Sequence, residues 1–428
     1  MNEREQAFLA LRRIERDRAR ADLTLDRVPE QQRPFVRTVV RGVLRTRPAL
    51  DVMIEKLAKR PLSEIDVEVA TLLRTAIYQL LEMDAPPFAV VSETMAIASR
   101  RVGRARGFVN AVLRGATRTD LKALLPQDQS VTSAAVRTGH PEWLLRRWID
   151  QFGEERALRI AAADQEPSYP DLLVNTRRWS LREATAAIAE RGGVARASPL
   201  GIPVLRLGGG TSSLADLIAA GLIYPMDEGS VVVAELVRPG STVLDLAAAP
   251  GGKSLALALG GSRVVSHDRS IGRLAGIRKI WSAWFDEKPR LVIGDGRAPS
   301  FRRQFETVLL DAPCSATGTL RKNPEVRWRL SADELSGYAR VQIELLRAAG
   351  AMAEKEVLYS TCSLESEENE RVIEEFLFEA PEFEIFDLSD RVPEPLRGAV
   401  GNGVLYLTPE MGTDGFTATG LRRRERAS

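Results

Sequence analysis

The chain has 428 residues, 44% of them hydrophobic and 28% charged, with 60 Lys and Arg against 58 Asp and Glu. That composition excludes a disordered chain, and the length calls for two or three domains. The 32 Gly and 23 Pro carry no collagen-like or linker-like bias, and no apolar run approaches the roughly 20 residues of a membrane helix. The opening stretch MNEREQAFLALRRIERDRAR is charged and helix-periodic and lacks the apolar core of a secretory signal, so a cytoplasmic protein without a membrane partner is expected. Two cysteines, Cys314 and Cys362, and two histidines, His140 and His267, are too few for a disulfide framework or a Cys/His zinc site, and no metal is expected. A free cysteine is either a small buried hydrophobe or a reactive thiol, and its surroundings decide which.

Residues 1–120 carry 22 Lys and Arg against 16 Asp and Glu, so the front of the molecule is basic although the whole is nearly neutral. Arginine dominates there, in LRRIERDRAR, VRTVVRGVLRTR and ASRRVGRARGFVNAVLRGATR, and its forked donors suit phosphate. Nucleic acid is the natural partner, although any one such run could be a solvated helix face. Apolar stripes at helical spacing run through Val36, Val39, Val40, Val43 and Leu44, and through Val69, Leu72, Leu73, Ala76, Ile77 and Leu80. Pro34, Pro48, the Lys59-Arg60-Pro61 corner and Asp84-Ala85-Pro86-Pro87 read as separators between helices. The order of these landmarks, ending in Phe108, Val109, Asn110, Val112 and Leu113, resembles the NusB-type RNA-binding helical domain.

A polar connector follows, then HPEWLLRRWIDQFGEERALRIAAA reads as one amphipathic helix with Trp143, Leu144, Leu145, Trp148 and Phe152 along one side. Between Leu172 and Tyr224 the strand candidates DLLVNT and VLRL and a helix in SLREATAAIAERGG make a small α+β module. Beyond Asp227 the short apolar runs STVLDLA, SRVVSHD, PRLVIGDG, ETVLLDAPC and KEVLYSTC alternate with helical stretches, the pattern of a parallel sheet covered by helices on both faces. The domains are therefore expected at 1–120 (all-α bundle), 121–225 (connector with the α+β module) and 226–428 (α/β, Rossmann-like). The closing LRRRERAS is charged and is expected to fray.

The first strand of the last domain runs into the turn Ala247-Ala248-Ala249-Pro250-Gly251-Gly252-Lys253, which opens a helix and lets backbone amides approach a ligand at the carboxyl edge of the sheet. Neither GxGxxG nor the phosphate loop GxxxxGK[ST] is present, which argues against dinucleotide or nucleoside triphosphate chemistry. Asp268 ends the next strand, where a carboxylate can accept ribose hydroxyls of an adenosine-containing cofactor, and Asp295 ends the third, within reach of an adenine amino group. Singly, each acid could be a helix cap; together they mark a binding edge. The fourth and fifth strands end in Asp311-Ala312-Pro313-Cys314 and Ser360-Thr361-Cys362, so both cysteines of the chain fall on that same edge.

The set LDLAAAPGGKS, GDG, DAPCSATGTLRKNPEVRW and YSTCSLESEENE resembles the RNA 5-methylcytosine methyltransferases, and with the NusB-like front it resembles their RsmB-type (Sun or Fmu) branch. The resemblance implies methyl transfer from S-adenosylmethionine to carbon 5 of a cytosine in 16S rRNA, of the cytosine 967 class. Carbon 5 is too weak a nucleophile alone, so a thiolate must first add to carbon 6. By resemblance the nucleophile is Cys362, Cys314 assists release, Asp311 holds the amino group and ring nitrogen 3, and Lys253 holds the base or lowers a thiol pKa. The cofactor then falls to Ala247 through Lys253, Asp268, Asp295 and Asp311, and the tail from Arg321 to Trp328 offers cations and an aromatic to a flipped nucleotide. Met226 stands where the family usually has Gln, and Thr417 where it has a second aromatic beside Asp414-Gly415-Phe416. Alternatives are a tRNA cytosine-5 methyltransferase and a non-catalytic RNA-binding assembly or antitermination factor. The partner expected is small-subunit rRNA, not DNA, and the protein is expected to be a monomer.

Overall fold

The computed structural model describes residues 1–166, 170–209 and 214–425. The chain forms two compact units, one of Met1–Glu166 with Leu320–Ala332 and one of Pro167–Thr319 with Asp333–Ser428. These limits differ from a division at residues 120 and 225: residues 121–166 join the helices before them, and a segment from far along the chain joins them too.

In the helical unit the principal helices are Glu3–Asp17, Arg33–Ala58, Val67–Glu82, Pro87–Arg101 and Arg106–Ala116, followed by the shorter Val131–Thr138, Glu142–Phe152 and Glu154–Ala163. Polar caps set several starts. Asn2 accepts from the amide of Glu5, Asp66 from those of Glu68 and Val69, and Ser130 from that of Ser133. The two apolar stripes read from the sequence are buried together with Phe8, Leu11, Met53 and Ile54, Leu80 being half-buried. The stretch from 142 to 163 is two helices rather than one. Gly153, at φ 79°, breaks it in a conformation that L side chains rarely adopt, so the apolar face turns a corner.

Pro48 is not a separator. It lies inside the 26-residue helix Arg33–Ala58. A proline there cannot donate to the carbonyl four residues earlier, so Leu44 O loses its helical partner. The indole Nε1 of Trp328 replaces it at 2.7 Å, and the Arg47 guanidinium stacks 5.1 Å from the same ring. Arg327, next in line, is 1% exposed and donates through Nη1 to Gly139 O at 2.8 Å and to Arg45 O at 3.3 Å, and through Nη2 to Asp164 O at 3.3 Å. Arg45 Nη2 reaches Arg321 O at 3.0 Å, and Glu325 accepts from the amide of Ala21 at 3.1 Å. The reading of this tail as a contact for a flipped nucleotide is corrected at Arg327 and Trp328, whose Nη and indole donors go to main-chain carbonyls of the helical unit.

The second unit contains two sheets. Strands β1 (Asp171–Val174), β2 (Val194–Ala197), β3 (Val204–Gly209) and β4 (Ile223–Pro225) form a four-stranded antiparallel sheet in the order β2-β3-β1-β4. Helix Leu181–Glu190, started by a Ser180/Glu183 capping box, packs Ala184 and Ile188 on it. The large sheet holds β5 (Thr242–Asp245), β6 (Arg263–Asp268), β7 (Arg290–Ile293), β8 (Phe305–Asp311), β9 (Ala353–Thr361), β10 (Phe383–Phe386), β11 (Val400–Gly401), β12 (Val404–Leu407) and β13 (Phe416–Arg423). Its order is β11-β12-β13-β9-β8-β5-β6-β7, with β10 paired to β13. Strands β5 to β9 pair in parallel, as their unbroken apolar runs required; β10 to β13 add an antiparallel wing, so the sheet is mixed. Leu309 and Leu358 face one layer, and Val308, Leu310, Val357 and Tyr359 the other. Leu421 to Arg423 of the closing basic stretch belong to β13 rather than to a frayed end; residues 426–428 lie outside the described residues. Among the described residues no helix is long and apolar enough to cross a membrane.

His140 is fully buried, 3.2 Å from Asp164, and burial, reinforced by the Arg327 charge, pushes its pKa from 6.5 down to about 4. It stays neutral in the folded protein over a range where the unfolded chain takes up a proton, so stability present above pH 6.5 is lost as pH falls toward 4. Denaturant titrations across this window should show a loss of about 3 kcal/mol that flattens in His140→Gln. Trp328→Phe, which strands Leu44 O, should lower the urea midpoint by an amount equal to about 1–3 kcal/mol without changing the slope.

Candidate active site

Strand β5 delivers Asp245 to the carboxyl edge of the sheet, and the turn beyond it starts the helix Gly252–Leu259. Gly251 has φ 111°, and a Cβ there would meet Ile277 at 2.7 Å, so this corner accepts no side chain. The turn is packed from the other side as well: a Cβ on Gly252 would lie 3.1 Å from Met226 Sδ and 3.2 Å from Tyr224. Met226 thus fills by packing the position where the family usually has Gln. A cavity of about 190 Å³ opens over the turn, lined by Ala247, Ala248, Ala249, Pro250, Gly252 and Lys253. Asp245 and Asp311 also face it.

Of the other acids assigned to the cofactor, Asp268 is buried at the end of β6, with Oδ2 3.4 Å from the amide of Ala249 and Oδ1 held by the amide of Ser270 at 2.8 Å and by Arg273 at 2.9 Å. Asp268 therefore supports the turn and stands beside the cavity. Asp295 does not line it. Its half-exposed carboxylate forms a bidentate pair with Arg297, with a closest approach of 2.6 Å, which holds it well below the usual carboxylate range. His267 donates to or accepts from no ligand-facing group; its Nδ1 sits 2.9 Å from Leu246 O in the interior.

The chemistry-bearing side chains converge where β8 and β9 end. Leu310 pairs with Tyr359 and Asp311 with Ser360 in parallel register, so the loops that follow leave the sheet side by side. Cys314 and Cys362 are both half-buried, with their sulfurs 3.2 Å apart. Lys253 Nζ donates to Asp311 Oδ2 at 2.8 Å and to Ser230 Oγ at 2.9 Å and lies 5.1 Å from the centre of the Phe416 ring. Ser360 Oγ donates to Asp311 Oδ1 at 2.9 Å. Burial alone would push the Lys253 ammonium down, but Asp311, with smaller contributions from Cys362 and Asp245, turns the net shift upward, so the lysine is a cation beside the thiols. The Cys314 thiol is pushed well up by its contact with Cys362 and by burial. Thr417, in place of an aromatic, donates to Ser363 O at 3.2 Å and ties β13 to the Cys362 loop.

Three comparisons bear on these residues. Residues 234–422 match the family 16S rRNA methyltransferase RsmB/F, residues 1–118 the NusB family, and residues 140–212 the RsmF/B-like ferredoxin-like domain. The chain is 30% identical to the probable ribosomal RNA small subunit methyltransferase B of Bacillus subtilis, with 98% of each chain covered. It is 34% identical to the ribosomal RNA small subunit methyltransferase B of Thermus thermophilus, over 96% of this chain and 95% of that one. The chain belongs to the RsmB/F methyltransferase family. It is an RNA methyltransferase with S-adenosylmethionine as its cofactor. Its fold is shared with the crystal structure of PH0851, at a TM-score of 0.80 and 23% identity over 98% of each chain.

The residues present suit that cofactor. Asp245 is 1% exposed; Ser254 Oγ holds its Oδ2 at 2.6 Å, while Oδ1 is buried without a hydrogen-bond partner among the described residues. A buried carboxylate oxygen left bare beside a cavity is costly unless a donor or cation completes it, and S-adenosylmethionine carries both an ammonium and a sulfonium. Asp245 was absent from the sequence-derived set although it is the acid of LDLAAAPGGKS; its only signal was an ionisable side chain in an otherwise apolar strand. Burial raises its pKa to about 7. Cofactor affinity should therefore strengthen several-fold as pH rises from 6 to 8 and the carboxyl ionises, and calorimetry of Asp245→Asn should show weaker binding with that dependence removed. Among the described residues no group of side chains could hold a metal ion.

Proposed function

We propose that the protein methylates carbon 5 of a cytosine in small-subunit rRNA, the cytosine 967 class, through a covalent Cys362 adduct. The observation that carries this reading is the pair of thiols 3.2 Å apart beside the Asp311–Lys253 ion pair. A single nucleophilic cysteine needs a base nearby and no second thiol; two thiols at one sheet edge suit a reaction with separate addition and release. Relatives covering nearly the whole chain carry the name ribosomal RNA small subunit methyltransferase B, which favours rRNA over tRNA. Ribosomal RNA as substrate also favours the cytoplasm.

In this reading the Cys362 thiolate adds to carbon 6 and the ring gains electron density at carbon 5. S-adenosylmethionine supplies the methyl group there. Asp311, held by Lys253 on one oxygen and Ser360 on the other, faces the amino group and protonated ring nitrogen 3 and steadies the charge that develops. The carbon 5 proton then passes to water, its bonding pair restores the double bond between carbon 5 and carbon 6, and the Cys362–carbon 6 bond breaks with its electron pair returning to sulfur as thiolate. Cys314, with its sulfur 3.2 Å from that of Cys362 and its thiol pushed well up, is assigned to assist this release. Basic helices of the first unit supply phosphate contacts.

Incubation with labelled S-adenosylmethionine and protein-free small-subunit rRNA, followed by mapping of 5-methylcytosine, tests this. Cys362→Ala should lose methylation by on the order of 10⁴-fold, and Cys314→Ser should accumulate a protein–RNA adduct resistant to denaturation. Full methylation by Cys362→Ala would refute the mechanism; methylation of tRNA alone would refute the substrate.

A further inference from the structure

Glu368 lies six residues beyond Cys362, in the YSTCSLESEENE stretch, and its side chain is completely buried. Among the described residues no cation touches it. Instead four donors converge on its carboxylate. One oxygen takes the amide N–H of Ser315 at 2.8 Å and Gln342 Nε2 at 2.9 Å; the other takes the hydroxyls of Ser315 and Ser363. Ser315 directly follows Cys314 and Ser363 directly follows Cys362. The two cysteine loops, 48 residues apart in the chain, are thus fastened through one carboxylate.

The surrounding bonds make the fastening stiff. Gly318 N donates to Cys362 O at 2.9 Å, and Leu364 N to Thr317 Oγ1 at 3.0 Å. Asn369 accepts from Thr361 Oγ1 at 2.6 Å and donates to Ser363 O and Glu365 O at 3.0 Å, while Tyr359 OH closes on Glu368 O at 2.6 Å. Ala316, two residues beyond Cys314, is held at φ 64°, a left-handed backbone that a non-glycine residue keeps only where its surroundings impose it. A buried structural glutamate is ordinarily paired with Arg or Lys; here neutral donors alone satisfy the carboxylate, so no counter-charge cancels it.

We infer that Glu368 is a positioning residue for the reaction: its carboxylate clamps the two cysteine loops and so holds the two thiols at their mutual distance, with its charge set against the Cys314 loop. The direction of the Cys314 shift agrees, since Glu368 is among the groups that raise it after Cys362 and burial. The loops' geometry and the nearby charge thus have one source. The inference rests on the covalent-adduct reading, but half of its test does not.

The full chain should be compared with Glu368→Gln, which keeps the shape and removes the charge; the two hydroxyls can turn to accept from the new amide. Iodoacetamide alkylation followed by peptide mass spectrometry across pH 6 to 10 reads each thiol without RNA. In Glu368→Gln the Cys314 profile should move down by about one pH unit, so that it alkylates about tenfold faster below its midpoint, while Cys362 changes little. With rRNA, kcat should fall at least about tenfold with KM for RNA within about twofold, and adduct should accumulate as in Cys314→Ser. Should Glu368→Gln fail to bind S-adenosylmethionine or melt early, Ser315→Ala, which removes one hydroxyl from the clamp and leaves the carboxylate, should still lower kcat and raise adduct. Unaltered Cys314 alkylation together with unaltered adduct in a folded variant would overturn the inference. A wild-type protein that forms neither adduct nor 5-methylcytosine would instead overturn the proposed function, with the alkylation profiles still deciding the role of Glu368.

Discussion

The parallel pairing of β8 with β9 is the constraint on which the site depends. Because the two strands run the same way and in register at Asp311 and Ser360, their following loops emerge on one edge and cannot avoid each other. Antiparallel pairing would have put Cys314 and Cys362 at opposite ends of the sheet. Next to β8 lies β5, which brings the cofactor turn to the same edge, so that Lys253 from the helix after β5 meets Asp311 from the end of β8. Three separate stretches of sequence become one constellation through strand order alone.

That edge carries more buried charge than a packed core tolerates without compensation, and the compensation takes two forms. At Lys253 and Asp311 it is ionic and mutual, with Ser230 and Ser360 completing the donors. At Asp245 and Glu368 it is neutral, through hydroxyl and amide donors, and both carboxyls are pushed upward by burial. The difference is functional. An ion pair holds its own charge in place, whereas a carboxylate met only by dipoles projects its field onto whatever lies next to it: the cavity at Asp245, the Cys314 thiol at Glu368.

Much of this was legible in the residues, because strands buried on both faces leave unbroken apolar runs and turns at sheet edges leave Gly and Pro. The positions of β5 to β9, the helical front and the convergence of Cys314, Cys362, Asp311 and Lys253 all follow from those signals. What was not legible depended on partners distant in sequence. Pro48 reads as a break because local rules count only the lost N–H; nothing nearby announces that Trp328 will take up the stranded Leu44 carbonyl. Arg327 and Trp328 read as ligand contacts because a cation and an aromatic in a loop usually face outward, and here both turn inward. Asp295 sits at a strand end like Asp268, yet Arg297, two residues on, claims its carboxylate. Gly153 was passed over since a single glycine in a helical pattern is often tolerated.

The placement of residues 320–332 changes what the helical unit is. Leu320 follows Thr319 in the chain, yet the two belong to different compact units, and only five residues separate Cys314 from that boundary. The helical unit is therefore not a bundle that ends near residue 120 or 166. Without the later segment, Leu44 O loses its donor, the carbonyls of Gly139 and Asp164 lose Arg327, and the amide of Ala21 loses Glu325. Each is a buried or half-buried polar group whose loss of partner costs on the order of 1–3 kcal/mol, a sum comparable with the whole stability of a domain of this size. A unit that needs residues 320–332 to complete its own core cannot be cut away at residue 120 or 166 as an independent module.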